Sequence, residues 1–298
     1  MKQSVIRKII VLTLTLTLLL AMAVSAEEPA VKQNLPDQIN VVLFGLSGDN
    51  DGLDTNRTDS IIVITVDNAH KQLKFTSVLR DIKAAIEGHE PQKINAAYRY
   101  GGPDLALQTL NQNFGLNLKD YITVNFDQFA QIVWLLGGTE VELTAAEAEY
   151  LNEDSLIPAE DFEAGPRHLD GYETLEYCRI RKIDSDVQRS ARQRGVLAYL
   201  LNKVTEMSLT EFSQMMTSFL SIVEATSLTP GSILTLCSIP YSEYEVINNH
   251  FPDADLDYGV SGGIDEHGEW VWFMDLNQAA VRFQDIIANE QPVQEPQE

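Results

Sequence analysis

This chain of 298 residues has few positive charges: 21 Lys and Arg against 44 Asp and Glu, a formal net charge of −23. So acidic a surface argues against DNA or RNA as a partner, which would want a basic face. Cysteine is almost absent. The two thiols, Cys178 and Cys237, form no CxxC pair, lie in apolar stretches and make no disulfide framework. They read as two buried free thiols. The five histidines are scattered without ligand spacing, which leaves no zinc site to argue for. Internal repeats are lacking, and no stretch reads as a linker between domains. Asp49–Asp54 hints at a calcium loop, but that frame needs acids where Ser47 and Thr58 stand. Gly259–Gly263 fits GxSxG, yet it follows no buried strand, and His267 is too near to be a distant triad partner.

The scarce cations are not spread evenly. Arg179, Arg181, Lys182, Arg189, Arg192 and Arg194 all fall within Cys178–Arg194, CRIRKIDSDVQRSARQR. Arg offers a planar fork of donors matched to phosphate oxygens and never loses its charge. One dense Arg site on an acidic protein points to a compact anionic ligand. Arg179 and Arg181, two apart, would face one way in an extended segment. Asp184, Ser185 or Asp186 can cap a helix that runs on through Val196, Leu197, Leu200 and Leu201. On it Asp186, Arg189 and Gln193 share a face, and its N-terminus favours anions. Two further Arg–Asp juxtapositions stand at strand ends: Arg57-Thr58-Asp59 and Arg80-Asp81. They suit either plain salt bridges or a phosphate clamp in which Asp holds a divalent cation.

At the N-terminus Lys2, Arg7 and Lys8 precede an apolar run from Ile9 to Val24, then Ser25-Ala26. Residues 1–26 therefore read as a cleaved secretory signal or an uncleaved anchor, and either one exports the remainder of the chain. Residues 27–38 read as a linker, 39–288 as the domain and 289–298 as a disordered tail. Within the domain, strands are expected at 39–46, 60–67, 72–79, 121–126, 233–239 and 271–274. Helices are expected at 103–114, 129–136, 170–177, from 186 onward, 209–225 and 276–287, with 145–165 irregular. Alternating strands and helices predict an α/β fold around a mixed sheet.

The ordered set NVVLFGL, RTDSIIVITVD, FTSVLRD, KINAAYRYGG, FDQFAQIVWLLGGTEVEL and HLDGYETLEYCRIRKIDSDVQRSARQR resembles the LytR–CpsA–Psr family over about residues 39–205. The resemblance implies an αβα sandwich that holds a polyisoprenyl (pyro)phosphate with its tail in an apolar channel. It implies an extracytoplasmic phosphotransferase that moves a glycopolymer phosphate from that carrier to peptidoglycan, with Mg2+, at the outer leaflet of the membrane. By position Arg57 and Asp59 match the family's RSD-like motif, Arg80 its SxxRD-like motif, and Arg179 and Arg181 its RxR. Asp186, Arg189, Arg192 and Gln193 match DxxRxxRQ. The implied catalytic set is Arg57, Arg80, Arg179, Arg181 and Arg189; Asp186, Arg192 and Gln193 join the arginines in substrate binding. Asp59 is the implied metal ligand. One departure stands out: the family's acidic residue after the first strand is here Ser47. Asp49 or Asp51 is the available substitute. Without a substitute the chain would be a non-catalytic polyprenyl-phosphate-binding or envelope regulatory protein. The helices 103–114 and 129–136 are the expected walls of a lipid cavity.

Overall fold

The computed structural model describes residues 35–47, 56–153, 155, 157, 161–253 and 259–288. The signal or anchor segment, most of the linker, Asp49, Asp51 and the tail lie outside them. Among the described residues no helix is long and apolar enough to cross a membrane.

Three strands start the domain: β1 (Gln38–Leu46), β2 (Thr58–Asp67) and β3 (Gln72–Val78). The continuous apolar runs of β1 and β2 suit strands covered on both faces, whereas β3 alternates and is nevertheless buried along its whole length. β1 and β2 pair antiparallel, as do β2 and β3. The tight β2–β3 turn places Lys71 at φ 57°, and Asp67 caps it by accepting bonds from the His70 backbone (3.0 Å) and ring (2.9 Å). The hairpin β4 (Lys83–Ile86) and β5 (His89–Lys93) leads to helix α1 (Ala96–Phe114). α1 is kinked at Gly101 and Gly102, so the expected helix from Pro103 is its second segment, closed by Gly115 at φ 61°. Next come β6 (Asp120–Val124), parallel to β1, then α2 (Phe126–Leu135), β7 (Thr139–Leu143), α3 (Ala145–Glu153) and β8 (Gly165–Leu169). Helices α4 (Gly171–Arg179), α5 (Asp186–Thr205) and α6 (Leu209–Ile222) come after β8. The rest is β9 (Ala225–Thr226), α7 (Pro230–Cys237), β10 (Glu245–Phe251), β11 (Ser261–Ile264), β12 (Trp270–Phe273) and α8 (Leu276–Ala288).

The main sheet has the order β10-β3-β2-β1-β6-β9 and is mixed. Strand alternation divides its side chains. Val42, Phe44, Ile61 and Val63 pack on α1 and α8, through Leu110, Phe114 and Phe283. Leu43, Gly45, Ser60 and Ile62 face the other way, toward α4 and α5. Beyond them a second core joins Val133 of α2, Leu151 of α3, Cys178 of α4 and Val196 and Leu200 of α5. The result is an αβα sandwich.

Two expectations need correction. Residues 145–165 are not irregular throughout, because α3 forms there and β8 begins at Gly165. Thr144 and Glu147 bond each other at the start of α3, and Ala148 and Leu151 bury its inner face. Its acidic composition masks that pattern. Residues 233–239 are not a strand. Thr229 and Ser232 exchange capping bonds ahead of α7, with Pro230 in its first turn. The strand of this region is β10, pairing parallel to β3 at the sheet edge.

Candidate functional site: an arginine-lined cavity

Helix α5 carries the largest share of the polar site. Ser185 is its N-cap, accepting from the Gln188 N–H, and Asp186 occupies its first turn. Asp186, Arg189 and Gln193 then fall on one face, as the spacing predicts. Asp186 gathers three guanidinium groups: Arg181 and Arg189 each at 3.2 Å and Arg80 at 3.7 Å. Arg80 also pairs with Asp59, and lies 3.6 Å from Asp81, which Lys93 neutralises at 2.9 Å. Arg189 donates to the Asp59 carbonyl at 3.3 Å, while its Nε is buried without a hydrogen-bond partner. Strand ends far apart in sequence thus meet one helix.

The electrostatics differ between these arginines. Burial works against the Arg80 charge, but Asp59, Asp81 and Asp186 outweigh it, so its pKa is raised. Burial pulls Arg189 down; Asp186 offsets part of this and the nearby Arg80 adds to it. Arg189 is therefore a buried cation short of negative charge. A further anion at this point relieves like-charge repulsion and fills an orphan donor.

Beside these groups lies a cavity of about 180 Å³. Leu43, Gly45 and Ile62 make its floor; Val124, Phe126 and Phe129 close one side, and Leu175 and Leu197 another. Asp59, Arg179, Arg181, Arg189 and Gln193 supply its polar side. Gly45 matters to the floor: a Cβ there would stand 3.1 Å from the Ser60 Cβ. Ser60 donates to Gln193 Oε1 at 3.0 Å, and Gln193 donates to the Cys178 carbonyl at 3.3 Å, which fixes the amide. Burial pushes the Cys178 thiol up to about 12, so this free cysteine stays protonated and inert.

Several predicted positions fall differently. Arg179 and Arg181 do not share an extended strand. Arg179 ends α4, pairs with Glu176 at 2.7 Å and lies over the Phe126 ring at 4.5 Å; Arg181 stands in the irregular chain between α4 and α5. Both nevertheless reach the cavity. Arg192 does not line it. Its guanidinium is buried between Asp184 and Glu147. The Arg57 side chain also is not among the lining residues; its carbonyl accepts from the Ser47 N–H and Oγ at 3.0 and 3.1 Å. Of the two expected walls, α2 contributes Phe126 and Phe129. The 103–114 segment instead fills the core on the opposite sheet face. The apolar lining is not legible in the sequence, because alternating apolar residues look alike whether they face core or cavity.

Among the described residues no three His, Cys, Asp or Glu side chains are grouped to hold a metal. What is present is Asp59, one-third exposed, with Asp186 reached by the same Arg80. That donor set suits a hard cation held by one or two carboxylates together with a ligand's phosphate oxygens, as Mg2+ commonly is.

Fold and site together define a class: an αβα domain with a largely apolar cavity lined on its polar side by arginines. The chain belongs to the LytR_cpsA_psr family, whose model matches residues 20–281. It is 33% identical over 180 residues to polyisoprenyl-teichoic acid–peptidoglycan teichoic acid transferase TagU of Oceanobacillus iheyensis, covering 58% of this chain and 53% of that protein. It is 34% identical over 164 residues to the regulatory protein MsrR of Staphylococcus aureus, covering 55% and 48%. The chain spans about half the length of these curated relatives. A solved structure of TagT with bound octaprenyl pyrophosphate lipid shares the fold, with a TM-score of 0.64 at 20% identity over 88% of this chain and 95% of that one.

Proposed function

We propose that this chain is an exported phosphotransferase of the cell envelope. It takes a glycopolymer phosphate from a polyisoprenyl diphosphate carrier at the outer membrane leaflet and passes it to a peptidoglycan hydroxyl. The carrying observation is the juxtaposition of Arg179, Arg181 and Arg189 with an apolar cavity. A free phosphate site needs no such cavity, and a lipid pocket needs no such arginines. The cavity holds on the order of a dozen water-sized groups. That is room for a diphosphate and the first isoprene unit, so the rest of a long tail runs beyond it.

In this reading the acceptor hydroxyl oxygen attacks the glycopolymer-bearing phosphorus and releases its proton to solvent, the bridging P–O bond breaks, and polyprenyl phosphate leaves. The arginines bind the diphosphate and offset charge that shifts onto the leaving oxygen. Gln193, fixed by Ser60 and the Cys178 carbonyl, orients the headgroup. Asp59 would hold Mg2+, which when bound supplies Lewis-acid stabilisation of phosphate charge. The N-terminal charge and apolar pattern supports export, and the family membership supports the substrate class. The test is Mg2+-dependent release of polyprenyl phosphate from a polyprenyl diphosphate-linked glycan, lost in Asp59→Ala.

A second reading is favoured by Ser47. Its hydroxyl bonds the Arg57 carbonyl and stands where the family carries an acid. A chain that binds the lipid but shows no Mg2+-dependent release would be a binding or regulatory protein.

A further inference from the structure

Arg192, which does not line the cavity, is held by neighbours of its own. Arg192 is buried on α5, and its guanidinium makes four contacts. Nη1 and Nη2 grip both oxygens of Asp184, at 2.5 and 3.0 Å. Nη2 also donates to the Ile180 carbonyl at 2.7 Å, and Nη1 to Glu147 of α3 at 3.2 Å. Ile180 and Asp184 bracket three residues of irregular chain, the first of which is Arg181. Asp184 immediately precedes the α5 cap Ser185 and the arginine-gathering Asp186. A single side chain thus pins both ends of the segment that presents Arg181, and ties it to a helix that contributes nothing to the cavity lining.

The charges explain why the arrangement holds. Burial opposes the Arg192 charge, while hydrogen bonding and attraction from Asp184 and Glu147 more than restore it. A forked grip on a carboxylate fixes direction as well as distance, which a lysine cannot reproduce. Without it, the segment 180–184 would keep the buried Ile180 side chain and Lys182 over the Tyr150 ring, but would lose the bonds to the Ile180 carbonyl and the Asp184 carboxylate that fix the chain on either side of the 44%-exposed Arg181 side chain.

We propose that Arg192, with Asp184 and Glu147, is a positioning clamp for Arg181, and that α3 therefore controls the headgroup affinity of a site it does not touch. This rests on the anion-binding reading of the cavity. It adds that one charge-preserving substitution outside the cavity acts through one named residue inside it.

The test is a double-mutant cycle on the full chain, titrated calorimetrically with farnesyl diphosphate. Arg192→Lys should weaken binding roughly tenfold, about the effect of one charged hydrogen bond. In an Arg181→Ala background the same substitution should cost less than about twofold, because its effect passes through Arg181. Glu147→Gln should behave likewise and more weakly. Equal losses from Arg192→Lys in both backgrounds, or a folded Arg192→Lys chain that binds as the parent does, would overturn the clamp. Amide exchange over 180–186 is the second readout. It should rise in Arg192→Lys and Glu147→Gln, while exchange in β1 and β2 stays unchanged. If the parent chain fails to bind farnesyl diphosphate, the functional reading fails instead. The exchange result then decides the clamp alone: unchanged protection of 180–186 overturns it.

Discussion

Replacing Arg189 with alanine separates ligand binding from stability. The Arg189 side chain is only 6% exposed and bonds Asp186 and the Asp59 carbonyl. After truncation Asp186 still has Arg181 at 3.2 Å and Arg80 at 3.7 Å, so no buried carboxylate is left alone. The Asp59 carbonyl loses one long bond of 3.3 Å. Arg189 is moreover destabilised as a cation by burial and by Arg80, so its removal relieves a cost as well as removing contacts. The expected stability loss is about 1 kcal/mol, a fall in Tm of roughly 2–4 °C. Ligand binding should suffer far more. A lost charged hydrogen bond to diphosphate costs roughly 1.5–3 kcal/mol, or about 10- to 150-fold in affinity. Titration with farnesyl diphosphate measures this, with farnesol as the control whose apolar contacts Arg189 does not make. A folded variant that loses less than about threefold in farnesyl diphosphate affinity, or loses farnesol and farnesyl diphosphate equally, would refute the reasoning.

Other outcomes rest on the same geometry. Gly45→Val places branched carbon on the cavity floor, where even a Cβ stands 3.1 Å from Ser60; prenyl diphosphate affinity should fall at least tenfold while inorganic pyrophosphate affinity changes little, as competition titrations can show. In a Cys237→Ser background, Cys178 should resist iodoacetamide at pH 8 and react only on unfolding, because its pKa is raised to about 12; rapid native labelling would contradict its burial. Asp67 loses stability to burial but gains more from the His70 bonds and Lys74, so its pKa is lowered in the fold. Its contribution is then present above the unfolded value of about 3.9 and lost as pH falls through the folded value. Asp67→Asn should flatten the acid side of the stability profile below about pH 4, and an unchanged slope would argue against this.

Sequence and structure agree where one residue type is informative by itself. β1 and β2 are apolar on both faces, and only a covered strand tolerates that. The arginine set is legible because cations are rare elsewhere, so six within Cys178–Arg194 stand out. What stays hidden depends on distance through space. Nothing local says that Arg192 turns toward Asp184 and Glu147 while Arg189, three residues earlier, turns toward Asp59. The apolar lining is hidden for a related reason: Leu43 and Phe44 differ only in which sheet face they occupy. α3 and α7 are obscured by composition, the first set at the start of an acidic stretch and the second a short apolar stretch that suits strand or helix equally.

If the cavity and its arginines hold a prenyl chain ending in phosphate, that lipid should stay with the protein through purification. Mass spectrometry of lipid extracted from the full chain, purified from a bacterial membrane fraction, tests it most directly. A polyprenyl phosphate or diphosphate should accompany the parent chain in near-stoichiometric amount and be largely absent from Arg189→Ala and Gly45→Val. A parent chain that carries no such lipid, or carries the same amount as both variants, would contradict it.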